Sequence, residues 1–431
     1  MAAGDVRGWT ASDYERARTA FQSVCGEHNL PLSGSSCTVF KSGVKVVELY
    51  AGNNHKGKQF GPDDVSTMQS VSKVIVGLAV AILEDRGLLK YDDPISKHWP
   101  EFARNGKGSI TIADVLAHVG GLHTLNPRAA NGMDSFKDRD ALGSFLAEQV
   151  PDKLGELVYA AYTGGFFISQ VIKRVDPKKR YLAEFCKDEI FAPLHLQDSI
   201  FVGMLSEDVL EHTYCKHAPP SPSDLAQLFL PDSVQRSVSS RPESNQDERS
   251  ALQQLLNLSS GCLQKQLLSV DKALSVGKEV LLNRATVDRL EYLSIEGGSF
   301  NYVSSSAAVA ALGDVLARGG SPLLSRDGLT RALTIKSSSW DKAFRREISF
   351  TVAGWSPMPK HSDDAGVTKV GNGFFGWWGV GGQLFLFSPE RELSFAFHTT
   401  HFNVRCGTRI PAFRLFKVVA ECDALIPRSK L

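Results

Sequence analysis

Ser70 and Lys73 stand three positions apart in the run Met68-Gln69-Ser70-Val71-Ser72-Lys73-Val74. On a helix, residues at i and i+3 share a face, so this hydroxyl and this amine can meet. A serine at a helix N-terminus also lies beside free backbone N–H groups and the positive end of the helix dipole. Serine is a poor nucleophile until a base takes its proton. Lysine can be that base only if burial or a second cation lowers its pKa from about 10.4. The apolar stretch Val74–Leu83 supplies such burial. The same spacing recurs at Ser42–Lys45, Ser269–Lys272, Ser275–Lys278 and Ser339–Lys342. Only Ser70 opens a strongly apolar helical stretch directly after a loop. Ser42 falls in a hairpin turn, Ser269 and Ser275 on a polar helix, and Ser339 in a loop of serine, tryptophan and charges. The alternative reading of Ser70 is a helix N-cap.

The elements that would position this pair can be read outward from it. Within residues 10–29, Tyr14, Ala17, Ala20, Phe21 and Val24 recur at helical spacing, an amphipathic opening helix with Thr10 or Ser12 as its cap. Cys37–Phe40 and Val44–Tyr50 are rich in β-branched and aromatic residues and read as strands turning at Ser42-Gly43. Residues 53–64 are a polar loop. Val74, Ile75, Leu78, Ala79, Ile82 and Leu83 form the buried stripe of the helix that Ser70 opens, with Gly87 as its stop. Residues 96–215 are mainly helical in pattern, with loops at 104–109 and 124–139. Residues 216–250 have the composition of a mobile surface insertion, rich in Pro, Ser, Gln and charge. Residues 268–295 and Ser304–Arg318 read as helical, Ile348–Gly354, Gln383–Phe387 and Leu393–His398 as strands, and Val404–Val419 as a closing helix. Strands at both ends around a helical middle imply an α+β chain. One lobe is built from residues 1–95 and 290–431, and a mainly helical lobe is inserted at 96–289.

The chain's 431 residues exceed what a single core usually holds, which agrees with two lobes. A formal net charge of +1 gives no reason to expect a nucleic acid or an anionic membrane as partner. The seven cysteines (Cys25, Cys37, Cys186, Cys215, Cys262, Cys406 and Cys422) are dispersed and odd in number, which reads as reduced thiols. The N-terminal residues show no apolar segment behind a basic start, so no secretory signal is expected. No stretch approaches the roughly 18–20 apolar residues of a membrane span. The sequence closes on Ser429-Lys430-Leu431, the peroxisomal address tripeptide. It implies a peroxisomal location and the import receptor as a partner.

The block around Ser70 resembles the first motif of the serine beta-lactamase-like superfamily, which includes penicillin-binding proteins, class C beta-lactamases and family VIII carboxylesterases. The resemblance runs through Leu83-Glu84-Asp85-Arg86-Gly87-Leu88-Leu89, Asp92-Asp93-Pro94 and Trp99-Pro100. Ile112 to Leu122 is similar to the family's His-Thr-Ser-Gly-Leu landmark, with His118 kept and Val119-Gly120 replacing Thr-Ser. Tyr159-Ala160-Ala161-Tyr162-Thr163-Gly164-Gly165 resembles the tyrosine motif in its Tyr-His-Ala-x-Thr-x-Gly form. Trp377-Trp378-Gly379-Val380-Gly381-Gly382 resembles the Trp-x-Gly variant of the third motif.

The resemblance implies the beta-lactamase/transpeptidase-like fold, an antiparallel sheet flanked by helices. It gives Tyr159 the tyrosine role, a phenolate held between ammonium groups that takes a proton from Ser70 or hands one to the leaving group. Tyr162 competes for that role. The implied oxyanion hole is the N–H of Ser70 with the N–H of Val380, and Trp377, Trp378 and Gly379 edge the substrate. No cofactor is implied. Ala161 stands where beta-lactamases carry the Asn that holds the substrate amide, and an aromatic surface replaces the cation near the lactam carboxylate. Both departures favour a small neutral ester or thioester over an amide, with acyl transfer or weak beta-lactamase or peptidase activity as alternatives. A non-catalytic scaffold descendant would fit the missing Asn, but joint retention of Ser70, Lys73 and Tyr159 argues against it. His398-x-x-His401 is the one close histidine pair. On a strand its members point to opposite faces, so no metal site is read there.

Overall fold

The strand Leu393–Thr399 alternates large and small side chains, and both of its faces are buried. Phe395 and Phe397 point to one side, where their rings meet Phe416 and Phe21 at 5.5 and 6.2 Å. Ser394 points to the other, where its hydroxyl donates to Ala310 O at 2.8 Å. Small residues on that second face let a helix approach closely. A strand covered on both sides must be central, and this one is.

The computed structural model describes residues 6–27, 33–126, 134–203, 205–218, 288, 290–344, 346–358, 365–401 and 410–426. The main sheet uses β1 (Arg7–Thr10), β2 (Gly34–Lys41) and β3 (Val44–Gly52) from one end of the chain. From the other end come β9 (Ser356–Pro357), β10 (Phe375–Trp378), β11 (Leu384–Ser388) and β12 (Leu393–Thr399). Its order is β1-β3-β2-β12-β11-β10-β9, and every pairing is antiparallel. The β2–β3 turn falls at Ser42-Gly43, both at positive φ as a tight hairpin requires. Helices α1 (Glu15–Cys25) and α5 (Ala412–Ala424) cover the phenylalanine face, and α4 (Ser306–Ala317) covers the other. Among the described residues no helix is long and apolar enough to cross a membrane.

Helix α2 (Ser72–Asp85) is buried on every side from Ser72 to Leu83, as expected for a helix apolar all round. It ends ahead of Gly87, whose φ of 69° suits the helix exit. Gly77 lets it press on the chain at Ala353, where a Cβ would lie 2.1 Å from Ala353 O. The Trp355 indole then donates to Val74 O at 3.0 Å. A small second sheet, β4 (Ser66–Thr67), β6 (Tyr302–Ser304) and β5 (Ile200–Val202), leads the chain into α2. Helix α3 (Gly164–Val175) packs against α2.

Several expectations need correction. The opening helix covers 15–25 within the 10–29 window, and Arg7–Thr10 before it is an edge strand. Neither Thr10 nor Ser12 caps it: the N-cap is Tyr14 and has no side-chain cap bond. The closing helix is Ala412–Ala424, later than 404–419. Ser339 lies on β7 (Ile335–Asp341), not in a loop. That strand pairs with β8 (Arg346–Thr351) in a hairpin apart from the main sheet. Its alternation of serine, tryptophan and charge is that of a strand with one wet face, which composition alone reads as loop. The segments 219–250 and 268–287, with Ser269, Ser275 and the tripeptide Ser429–Leu431, lie outside the described residues.

Candidate active site

Ser70 reaches its place through a short strand and a tight turn. From β4 the chain passes Met68, whose N–H is held by Tyr302 O at 2.8 Å. It then makes a 3₁₀ turn over Gln69–Val71, and the α-helix proper begins at Ser72. Gln69 has φ +49°, a left-handed conformation that side chains other than glycine rarely adopt. Ser70 is half-buried. It is not a helix cap, since neither N-cap position at this helix start carries a side-chain bond. Its hydroxyl is instead hydrogen-bonded to Tyr159 and lies 3.3 Å from Lys73 Nζ.

Lys73 Nζ donates to Ala161 O at 2.7 Å and to Ser299 O at 2.8 Å. These two acceptors are neutral carbonyls, and among the described residues no carboxylate offsets the desolvation of an ammonium here. Burial accordingly holds the Lys73 pKa well below the usual lysine range. The neutral amine has two N–H groups and one lone pair. Its two N–H groups suit the two carbonyls and leave the lone pair toward Ser70 Oγ, 3.3 Å away. An amine so placed can act as a general base.

Tyr159 lies across the pair and is 2% exposed. Its hydroxyl accepts from the Trp377 indole N–H at 3.0 Å. Lys73 Nζ lies 4.9 Å from its ring centroid. Burial pushes its phenol well above the usual range, and the hydrogen bonds from Ser70 and Trp377 only partly offset this. Among the described residues one lysine faces the ring, and burial favours the neutral phenol over the phenolate that the resemblance implies. Its backbone N–H donates to Asp341 Oδ2 at 2.7 Å. Burial raises the Asp341 carboxyl to about 6, against the pull of N–H groups from Phe344, Tyr159 and Ala343. Behind the ring lies His118, centroid to centroid 4.7 Å. His118 Nδ1 accepts from Ala160 N at 3.2 Å, and burial holds the imidazole pKa well below the usual histidine range. Tyr162, the competing tyrosine, turns its ring edge-on to Phe300 at 5.5 Å.

Gly379 follows β10 and passes directly over the turn that carries Ser70. A Cβ there would lie 2.7 Å from Met68 O and 3.0 Å from Gln69 Cβ, so only glycine fits. The Gly379 N–H closes on Gln383 O at 2.9 Å, and the next residue, Val380, is 37% exposed. Val380 N–H has no backbone acceptor among the described residues. Trp377 and Trp378 are buried rather than open to solvent, stacked on each other at 5.6 Å. Phe344 closes against Trp378 at 5.2 Å, which leaves Phe344 and Val380 as the apolar rim.

The structure places Ser70, Lys73 and Tyr159, the three residues read from the sequence, in contact with one another. Sequence reasoning missed Ser299, Asp341 and the tyrosine-directed role of Trp377. Ser299 and Ala161 act through backbone carbonyls, which leave no residue-type signal, and Asp341 is 182 residues from the N–H it holds.

A two-ended antiparallel sheet, a buried helix opened by a serine–lysine pair and a tyrosine facing both define the class: a serine hydrolase of beta-lactamase/transpeptidase-like fold. The chain belongs to the beta-lactamase family, whose model matches residues 27–413. It is similar to Esterase/beta-lactamase LipL of Mycobacterium tuberculosis (strain H37Rv), 26% identical over 375 residues, which cover 84% of this chain and 76% of that protein. Among solved structures it is similar to a penicillin-binding protein homologue from Caulobacter crescentus (TM-score 0.73, 21% identity, 97% of this chain and 100% of that one). It is also similar to a family VIII carboxylesterase (TM-score 0.72, 19% identity, 97% and 100%).

Proposed function

We propose that the chain is a carboxylesterase-like hydrolase that forms an acyl-enzyme on Ser70 from a small neutral ester or thioester. The observation that carries this reading is the Lys73 amine, buried, without a carboxylate partner among the described residues, and shared between two carbonyls and the Ser70 hydroxyl. The Ser70 proton passes to the Lys73 lone pair as Oγ bonds to the carbonyl carbon. The developing oxyanion is received by the N–H groups of Ser70 and Val380. Tyr159, a phenol already hydrogen-bonded at Ser70, protonates the departing alkoxide or thiolate. The Lys73 ammonium then returns its proton to the Tyr159 phenolate, and the restored amine takes a proton from water as water bonds to the acyl carbon and delivers it to Ser70 Oγ as the acid leaves. The rim of Phe344 and Val380 supports an uncharged substrate. Ala161 offers a methyl where an amide-holding Asn would be needed, which supports an ester over a lactam or peptide.

The test is hydrolysis of short-chain nitrophenyl esters alongside a chromogenic cephalosporin, with Ser70→Ala as control and intact mass after a fluorophosphonate. Ester turnover and a single adduct, both lost in Ser70→Ala, support the reading. A folded protein with neither turnover nor adduct overturns it in favour of a binding scaffold.

A further inference from the structure

Behind the nucleophile turn, on the side away from Lys73 and Tyr159, lies a second buried polar chain. The segment 213–218 runs beside β4, with Cys215 N–H on Val65 O at 2.7 Å and Val65 N–H on Thr213 O at 3.1 Å. It delivers His217, whose ring is fully buried. His217 Nδ1 lies 3.0 Å from Asp288 Oδ1, and the His217 backbone N–H donates to Asp288 Oδ2 at 3.1 Å. The Tyr214 hydroxyl donates to the same carboxylate at 2.6 Å. The carboxylate occupies Nδ1, which leaves Nε2 for a second partner. That nitrogen faces the Thr67 hydroxyl at 3.4 Å. Thr67 Oγ1 in turn accepts from the Gln69 side-chain amide at 3.1 Å. Thr67, Gln69 and His217 are all buried.

The far end of this chain is the residue held at φ +49°. For a side chain other than glycine that conformation costs on the order of 1–3 kcal/mol and persists only where the surroundings impose it. Gln69 is imposed upon twice: its carboxamide is tied to Thr67, and its carbonyl accepts from the Ser72 hydroxyl. The peptide unit between Gln69 and Ser70 carries the Ser70 N–H. Fixing the Gln69 dihedrals therefore fixes where that N–H points. The same strand is linked to the opposite donor. Gln383 Nε2 donates to Thr399 O at 3.1 Å and reaches Thr67 O at 3.5 Å, and the Gln383 carbonyl closes the turn that presents Val380.

We propose that Asp288, His217 and Thr67 are positioning residues that, through Gln69, aim the Ser70 N–H at the oxyanion. The inference rests on Ser70 being the nucleophile. None of the three touches substrate; they act on the rate by setting the direction of one hydrogen-bond donor. A donor misaimed by a fraction of an ångström loses stabilisation of the tetrahedral state while leaving ground-state binding nearly intact.

The experiment compares Thr67→Val, Thr67→Ser, Asp288→Asn and the Thr67→Val/Asp288→Asn double variant, with every rate normalised to Ser70 sites titrated by fluorophosphonate. Thr67→Val should lower kcat on a nitrophenyl ester roughly 10- to 100-fold per titrated site, with KM within about twofold. Thr67→Ser, which keeps the hydroxyl, should return to within about threefold of the wild type. The double variant should be no slower than the slower single one, because both act through one chain. A purely structural role would reduce the titratable fraction and leave kcat per site unchanged, and that result overturns the proposal. So does a Thr67→Ser as slow as Thr67→Val, or a double variant whose losses multiply. Wild-type protein that takes no adduct on Ser70 removes the nucleophile reading and this inference with it. An adduct with unchanged Thr67→Val kcat removes the inference alone.

Discussion

Replacing Lys73 by Met separates what that residue does for catalysis from what it does for stability. The amine is 9% exposed and donates to Ala161 O and Ser299 O. Losing it takes one donor from each of two carbonyls, the Ser299 one buried and the Ala161 one part-buried, at up to about 1–3 kcal/mol each. Against that, Met fills nearly the same space and removes a group whose charged form is penalised by burial. The opposing contributions are of similar size, so the variant should unfold within about 2 kcal/mol of the wild type. Catalysis has no such offset. General-base assistance is worth about 10²–10⁴-fold, or about 3–5 kcal/mol at 1.36 kcal/mol per decade. kcat/KM should fall by that factor while the melting curve moves little. The pH dependence gives a second, signed readout. The folded-state lysine pKa is lowered, so between that value and about 10.4 the unfolded chain binds a proton that the folded protein does not. Unfolding free energy then rises with pH through this window, and the stability conferred is lost as pH falls through the folded pKa. The stability difference, wild type minus Lys73→Met, should climb toward alkaline pH. Wild-type kcat/KM should rise on its acid side as the amine loses its proton. Denaturant unfolding across pH and ester kinetics on titrated enzyme measure both. Retention of more than a tenth of wild-type kcat/KM, or a stability difference that falls with rising pH, would refute the reasoning.

Trp377→Phe removes the indole donor at 3.0 Å from the Tyr159 hydroxyl and keeps an aromatic ring in the stack. Loss of about 1–1.5 kcal/mol should slow ester turnover roughly 5- to 15-fold, and a change under twofold would show that the donor does not tune Tyr159. Gly379→Ala sets a Cβ against Met68 O at 2.7 Å, so the nucleophile turn and the Val380 turn must part. Stability should drop by about 1–3 kcal/mol, and kcat should fall on the order of 10²-fold on a far smaller change in KM. Equal losses in kcat and in titratable sites would mean simple misfolding. Ser429-Lys430-Leu431 is a proposed address: a fusion with a fluorescent protein at the N-terminus should sort to peroxisomes and become diffuse on Leu431→Asp. A diffuse signal from the unaltered tripeptide would count against it.

The parts of the fold that sequence reveals are those with a strong period. The stripe from Val74 to Leu83 and the aromatic alternation of Leu393–His398 each admit one reading, and each is a central element. Where the period is short or polar, as in Arg7–Thr10 and Ile335–Asp341, pairing with a distant partner decides the conformation. The site divides in the same way. Ser70 and Lys73 are three apart on one helix start, a local relation that spacing can carry. The partners that set their chemistry are distant and largely main-chain: Ser299 O, Ala161 O and the Asp341 carboxylate under the Tyr159 N–H.

This division explains why sequence could name the proton-handling pair but not assign its roles. In water a lysine and a tyrosine have nearly equal pKa values, about 10.4 and about 10, so residue type alone allows a phenolate beside an ammonium. Burial acts on the two in opposite directions, because it penalises the cation of one and the anion of the other. Lys73 goes down and Tyr159 goes up, so the order is that of a free amine beside an intact phenol. An ion pair could survive burial only with further charge or donors around it. Here the amine meets two neutral carbonyls, and the phenol oxygen receives one indole N–H and its bond to Ser70. The neutral arrangement supports the proposal that Lys73 is the acceptor and Tyr159 the donor in acylation.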